Sequence, residues 1–481
     1  MHALVHVKRR LLLNLFLRIL RPCLVVAGLV LGFGAASAQP VAAPASASAS
    51  ASAAPSQVAS SAFRIDPVDA AWYAALPKDP EAATRAWLAR VPAQSMASSD
   101  AYYEGDYWLL LWNFLLGLLI AGLLLGSRPS TALREALQKR LRWRFVSDAT
   151  YGAAYAVAGW VLSLPLTIYQ GYFREHAYGM ATQNFGAWFG EQLINLAVAI
   201  LMTGAAVAVL YAVLRRAGTR WWWWGALTSL ALLVLLFVVS PVYIDPLFND
   251  YKPVADGPIK SQVLALAKAN GVPVDNVYVF DASRQTTRVS ANVSGFLGTA
   301  AVRLNDNLLR RSSLPEIRAV MGHEIGHYTL NHSFKFLVQI GVVVLASFAV
   351  AAWAMRRLLA RFGERWRLAG VSDVASLPLL MAVFSVCSFV LTPVINTMVR
   401  TQEIEADYFG INASREPLGM SEVMLKLVEY RKADPGSLEE IIFFDHPSAY
   451  HRILQAMRWR EQMGESGAVP LMPAASEAPA K

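Results

Sequence analysis

The sequence predicts a mainly α-helical membrane protein, a multi-span helical bundle carrying a small α+β domain around one histidine-bearing helix. Three observations predict it. The 481-residue chain is 55% hydrophobic and 16% charged, with a mean hydropathy of +0.37, more apolar than a typical soluble domain. Six apolar stretches are each about the length a helix needs to cross a bilayer core. Between the fourth and fifth lies a polar region that reads as short strands and a helix.

Residues 1–38 read as a secretory signal peptide. Lys8, Arg9, Arg10, Arg18 and Arg21 are its basic region, residues 23–33 its apolar core, and Ala36-Ser37-Ala38 an A-x-A cleavage pattern. An uncleaved anchor is the alternative, although the core is short for a span. Residues 39–62, rich in Ala, Ser and Pro, are expected to be a disordered tether, and residues 467–481 a disordered tail. Residues 63–106 form an N-terminal extension, with Trp72, Tyr73 and Trp87 expected as core or interface contacts of a small helical cap.

Four expected spans fill residues 107–244 (107–126, 152–173, 193–214 and 225–244), and two fill residues 334–399 (334–355 and 376–399). Trp221 to Trp224 read as an interface belt. Pro165, Pro241, Pro378 and Pro393 leave re-entrant or buried helices open for the second, fourth and sixth. The net charge of +9 does not point to nucleic acid, because the basic excess lies at the N-terminus and in short loops. Arg134, Lys139 and Arg140 follow the first span, Arg215, Arg216 and Arg220 the third, and Arg356, Arg357 and Arg361 the fifth. Those loops are expected inside, which puts residues 245–333 and the C-terminal segment outside, in agreement with an N-terminal signal. The two cysteines, Cys23 and Cys387, lie in apolar stretches. A disulfide framework and a cysteine zinc site are therefore excluded, and any metal must use His and carboxylate.

Residues 245–333 carry chemistry. A helix is expected at 259–270, strands at 277–281, 289–293 and 300–304, and a polar turn at 283–287. Ser313-Leu314-Pro315-Glu316 then has a capping serine, a first-turn proline and an acidic first turn, the pattern of a helix start. That helix contains His323-Glu324-Ile325-Gly326-His327. Positions i and i+4 share a helix face, so His323 and His327 can offer two imidazoles to one cation, with Glu324 beside them to take a proton from a metal-bound water. Zinc would activate that water and polarise a carbonyl, which suits hydrolysis of an amide. Histidines merely satisfied in a polar interface are the competing reading, and a third ligand separates the two. In residues 400–466, Glu403 and Asp407 share a face, while Glu405 points elsewhere and is expected to be solvated. Glu403 could complete a catalytic two-histidine, one-glutamate set and Asp407 could accept the second ring N–H of a ligand. An ordinary solvated helix face remains open for this pair.

The motif His323-Glu324-x-x-His327, two following spans and Glu403-x-x-Ala406-Asp407 together resemble the type I CAAX prenyl endopeptidases and their HtpX-like relatives, peptidase family M48. The similarity runs from about Tyr107 through Pro246-Leu247-Phe248, Val277-Tyr278-Val279 and residues 305–309 to His446-Pro447 and Arg452, which match an HP-x-x-x-x-R motif. The resemblance implies an all-helical membrane chamber with a zincin-type metallopeptidase domain. It implies one zinc ion per chain on His323, His327 and Glu403, Glu324 as base, Asp407 behind a ligand, and His446 and Arg452 facing the oxyanion. It also implies an edge strand that pairs with extended substrate. Two features depart from the family: Ser290-Ala291-Asn292 stands where an Asn-Ala pair is usual, and the loop charges put the catalytic region outside rather than in the cytosol.

The expectation is a membrane-embedded zinc metalloendopeptidase of a bacterial inner membrane, catalytic on the periplasmic side. Its partners are a peptide or protein substrate and the lipid bilayer. A zinc-binding but non-proteolytic chaperone or scaffold is the alternative. A transporter is disfavoured, since the spans carry ionisable residues only at their ends, such as Lys335.

Overall fold

The computed structural model describes residues 63–294 and 301–464; the expected signal, tether and tail lie outside the described residues. Five helical runs are long and apolar enough to cross a membrane. The longest, Phe185–Leu247, holds two of the expected spans, as Phe185–Ala217 and Trp221–Val239. Gly218 separates them with a φ of 56°, a backbone that a residue without Cβ adopts at little cost, and the two helices pack side by side. All six apolar stretches are therefore helical. Pro165 and Pro393 sit inside helices without interrupting them, Pro378 occupies a first turn, and Pro241 falls in a π-helical turn. Trp223 and Trp224 are exposed as an interface belt would be, but Trp221 is buried, its ring 6.3 Å from that of Phe348 in the core between spans.

Several helices overrun their spans, and two of them shape the polar domain. The first, Ala93–Gly126, has 34 residues, about 51 Å at 1.5 Å per residue, so its polar first turns belong to the N-terminal extension. The last, Leu377–Ser414, has 38 residues. Residues 400–413 are thus not a new helix start, because neither Gly nor Pro occurs between Pro393 and Gly410 to stop the helix leaving the span. A rigid rod carries Glu403 and Asp407 out of the bundle.

The extension also contains Ala70–Ala74 and Pro80–Leu88, capped by Asp69 and Asp79. Trp72, Tyr73 and Trp87 interlock edge to face and pack on Pro417–Leu427 and Ala449–Met463. Arg90 makes a two-pronged bond to buried Glu422, at 2.5 and 3.0 Å, the geometry that makes Arg–carboxylate pairs directional. The expected cap is a brace under the C-terminal helices.

The polar region between the fourth and fifth spans folds around a four-stranded sheet: β1 (Tyr251–Pro253), β2 (Val277–Phe280), β3 (Ala291–Ser294) and β4 (Ala301–Asn305), in the order β1-β2-β4-β3. β2 and β4 are parallel and the outer pairs antiparallel. β1, bounded by Pro253 and only three residues long, has too little periodicity to read from sequence. β3 is an edge strand and packs beside the helix Leu314–Thr329. The turn between the second and third spans pairs with this domain through Ala181 and Thr286, and Arg288 bonds Glu175 at 2.7 Å. At the opposite end of the bundle the basic loops are tied together by Arg215–Asp148 at 2.6 Å and by Arg134 on Asp373. The polar domain and the basic loops therefore sit at opposite ends.

Candidate metal centre

The helix Leu314–Thr329 begins as its sequence dictates: Glu316 accepts from the backbone N–H and hydroxyl of Ser313, at 3.3 and 2.9 Å. It then crosses Leu377–Ser414 at very short range. A Cβ on Gly322 would lie 2.6 Å from the Gly410 carbonyl oxygen, and one on Gly410 would lie 2.6 Å from the His323 nitrogen. Gly326 faces Ala406 in the same seam. Small residues at i and i+4 on both helices let the backbones touch, as small-xxx-small pairs do elsewhere. Only at that separation can side chains as short as His and Glu converge.

They do converge. His323 Nε2 and His327 Nε2 lie 3.2 and 3.4 Å from the two oxygens of Glu403 and 3.0 Å from each other, and the three residues form a group able to hold one metal ion. Glu403 Oε2 is buried and accepts no hydrogen bond, although His446 Nε2 also stands 3.3 Å away. Two imidazole nitrogens and a carboxylate crowded at one point, with Glu403 Oε2 left without a hydrogen bond, fit a shared cation. The donor set is also right for zinc, with two nitrogens and one oxygen leaving a fourth position open. Electrostatics agree. Burial opposes the charged form of His323, but the neighbouring carboxylates of Asp407 and Glu403 outweigh it and raise the imidazole to about 10, and a field that holds a proton there favours a divalent cation.

Around this set the expected residues assemble. Asp407, fully buried, has Oδ1 2.8 Å from His323 Nδ1, the carboxylate–histidine arrangement that sets a ligand's tautomer. Arg452 donates to the same oxygen at 2.5 Å, so it stands behind His323 as the counter-charge of Asp407. His446 is oriented by Asp445, 2.8 Å from its Nδ1, while burial and then Arg431 lower its basicity. Glu324 lines a cleft of about 210 Å³ together with His323, His446, Arg452 and, on the edge-strand side, Ser290 and Ala291. Burial raises the Glu324 carboxyl, with His323 and His327 pulling the other way. A raised carboxyl suits a base working near neutrality.

Sequence reasoning missed Asp445, the glycine seam and His332. Glu405, expected to be solvated, is half-exposed but bonded to His332 and Lys335. The seam had a legible signal in the spacing of Gly322, Gly326, Ala406 and Gly410; His332 had only its five-residue distance from His327.

A family model described as peptidase family M48 matches residues 253–460. Another, described as CAAX prenyl protease N-terminal with five membrane helices, matches residues 81–250. Among relatives, the uncharacterized metalloprotease YhfN of Bacillus subtilis is 30% identical over 363 residues, 75% of this chain and 85% of that protein. CAAX prenyl protease 1 of Saccharomyces cerevisiae is 24% identical over 311 residues, 61% of this chain and 68% of that one. The crystal structure of S. mikatae Ste24p aligns with a TM-score of 0.58 at 17% identity, covering 81% of this chain and 89% of its own, a likeness of fold.

Proposed function

As the chain belongs to peptidase family M48 and is a membrane protease, we propose that it hydrolyses peptide bonds as a zinc metalloendopeptidase. The convergence of His323, His327 and Glu403 beside a cleft lined by Glu324 carries this reading. A zinc ion held by those three residues would polarise the scissile carbonyl and bring the pKa of a water in the fourth position toward neutrality. Glu324 takes the proton of the attacking water and delivers it to the leaving amine. Asp407, held by Arg452, accepts the Nδ1–H of His323 and keeps its Nε2 free for the metal. Val289, Ser290 and Ala291, which lead into the edge strand β3, line the cleft, where an extended substrate could add as a further strand.

The purified protein should carry one zinc per chain and cleave an unstructured peptide, lose turnover on chelation and regain it with zinc. Stoichiometric zinc without turnover of casein or a peptide library would instead favour a chaperone or scaffold. The names of the relatives speak of prenylated substrates, and no residue here assigns that specificity to this chain.

His446 is proposed to donate to the oxygen that becomes negative as the carbonyl is attacked, with Asp445 fixing its ring. His446→Ala should keep zinc and substrate affinity while kcat falls about 100- to 1000-fold. An unchanged kcat on matched, folded protein removes it from the site.

We further propose that the chain lies in a bacterial inner membrane with this centre on the periplasmic side, because the basic loops at the other end should stay inside. Periplasmic reporters fused after Asp306, and cytoplasmic reporters fused near Lys139 or Arg361, should be active. The reverse pattern would put the centre in the cytosol.

A further inference from the structure

Both histidine ligands present Nε2 to the centre, so both need their proton on Nδ1, and both Nδ1 atoms need an acceptor. His323 finds a carboxylate directly, in Asp407. His327 does not. Its Nδ1 lies 2.8 Å from Nδ1 of His332, whose Nε2 lies 3.1 Å from Oε2 of Glu405, and Lys335 donates to that same oxygen at 2.6 Å.

Chain reversal makes this possible. The motif helix ends at Thr329, Asn331 takes a left-handed φ of 56°, and the fifth span's helix starts at His332. Asn tolerates that conformation better than other residues with a Cβ. His332 is thereby folded back, buried at 4% exposure, against a ligand five residues earlier, while Glu405 at 44% stays at the surface.

A single requirement sets every proton in the chain. Two ring nitrogens 2.8 Å apart can share one hydrogen. If His327 Nε2 offers its lone pair to a cation, that hydrogen starts on His327 Nδ1 and is donated to His332 Nδ1. His332 must then carry its own hydrogen on Nε2, where the Glu405 carboxylate accepts it. With His332 in the other tautomer, His327 would turn an N–H toward Glu403 and repel a cation.

We propose that His332 is a positioning residue that holds His327 in its metal-binding tautomer, with Glu405 as the terminal carboxylate of the relay. The proposal rests on the His323, His327 and Glu403 centre described above. It gives that centre two unlike supports: a buried carboxylate behind His323, and behind His327 an imidazole relay reaching the surface at the root of the fifth span.

The test is zinc affinity, measured by competition with a chelator of known affinity on purified wild type, His332→Ala, His332→Gln and Glu405→Gln, with metal-free thermal unfolding as the control for folding. His332→Ala should bind zinc about 10- to 100-fold more weakly. His332→Gln should recover most of the loss, because its amide can accept from His327 and donate to Glu405 at once. Glu405→Gln should show a smaller loss, and since the side chain is half-exposed it carries the test even if the alanine variant does not fold. Unchanged affinity in His332→Ala or Glu405→Gln overturns the relay, as does an equal loss in the Ala and Gln variants, which would indicate packing alone. A wild type that binds no zinc overturns the metal centre itself, so the two failures are distinct.

Discussion

Replacing His323, His327 or Glu403 with Ala should remove stoichiometric zinc and with it all peptidase turnover. Each contributes one of the three atoms that converge as a possible metal group among the described residues, so losing one leaves two donors, below the three that catalytic zinc sites use. The stability effect should follow mass action. Zinc present at about a hundred times its dissociation constant stabilises the folded chain by about 2.7 kcal/mol, and a variant that cannot bind it forgoes that increment. Metal analysis and thermal unfolding with and without added zinc check both parts. A purified Glu403→Ala protein that holds one zinc per chain would sink the ligand assignment, because Glu403 is the member of the set that a chance HExxH helix would lack.

Glu324→Gln should separate chemistry from binding. The amide keeps the shape of the carboxyl and leaves all three ligands in place, so zinc content and the zinc-dependent thermal shift should match wild type. What it removes is the group that takes the proton from the attacking water, and loss of a positioned general base costs about 100- to 10,000-fold in rate. The fall should appear in kcat and kcat/KM alike, since proton transfer is realised in the transition state and not on binding. A Glu324→Gln protein with wild-type kcat would refute the mechanism even if the zinc assignment stands. The pair of experiments is diagnostic because the ligand variants lose both readouts while Glu324→Gln loses one.

The composition, the six apolar lengths and the pattern His323-Glu324-x-x-His327 are properties of the chain itself. Span length is set by bilayer thickness and helix rise, and the shared face of i and i+4 is a property of any helix. The start at Ser313 and Glu316 was legible for the same reason, because capping is a contact within one turn. Near-neighbour physics also placed Asp407 and Glu403 on one face.

The remainder depended on contacts between residues far apart in sequence or on a backbone reversal. From sequence, Glu403 could be a ligand or a solvated acid; the seam of Gly322 against Gly410 brings two helix backbones into contact and buries Glu403 beside His323 and His327. Residues 400–413 looked like a new helix because their polarity changes, yet a change of solvent from lipid to water does not interrupt backbone hydrogen bonding. Glu405 looked solvated because periodicity locates a face without saying what packs on it, and His332 reaches it only after the left-handed turn at Asn331. Arg452, which the resemblance puts at the oxyanion, lines the cleft with His446, and the fold also sets its guanidinium on Asp407 beside His323. The sequence by itself thus pointed to the kind of chemistry and determined its membrane setting, through local periodicity and residue type; the tertiary structure alone decided which groups stand behind His323 and His327, because that is fixed by how closely distant helices can approach.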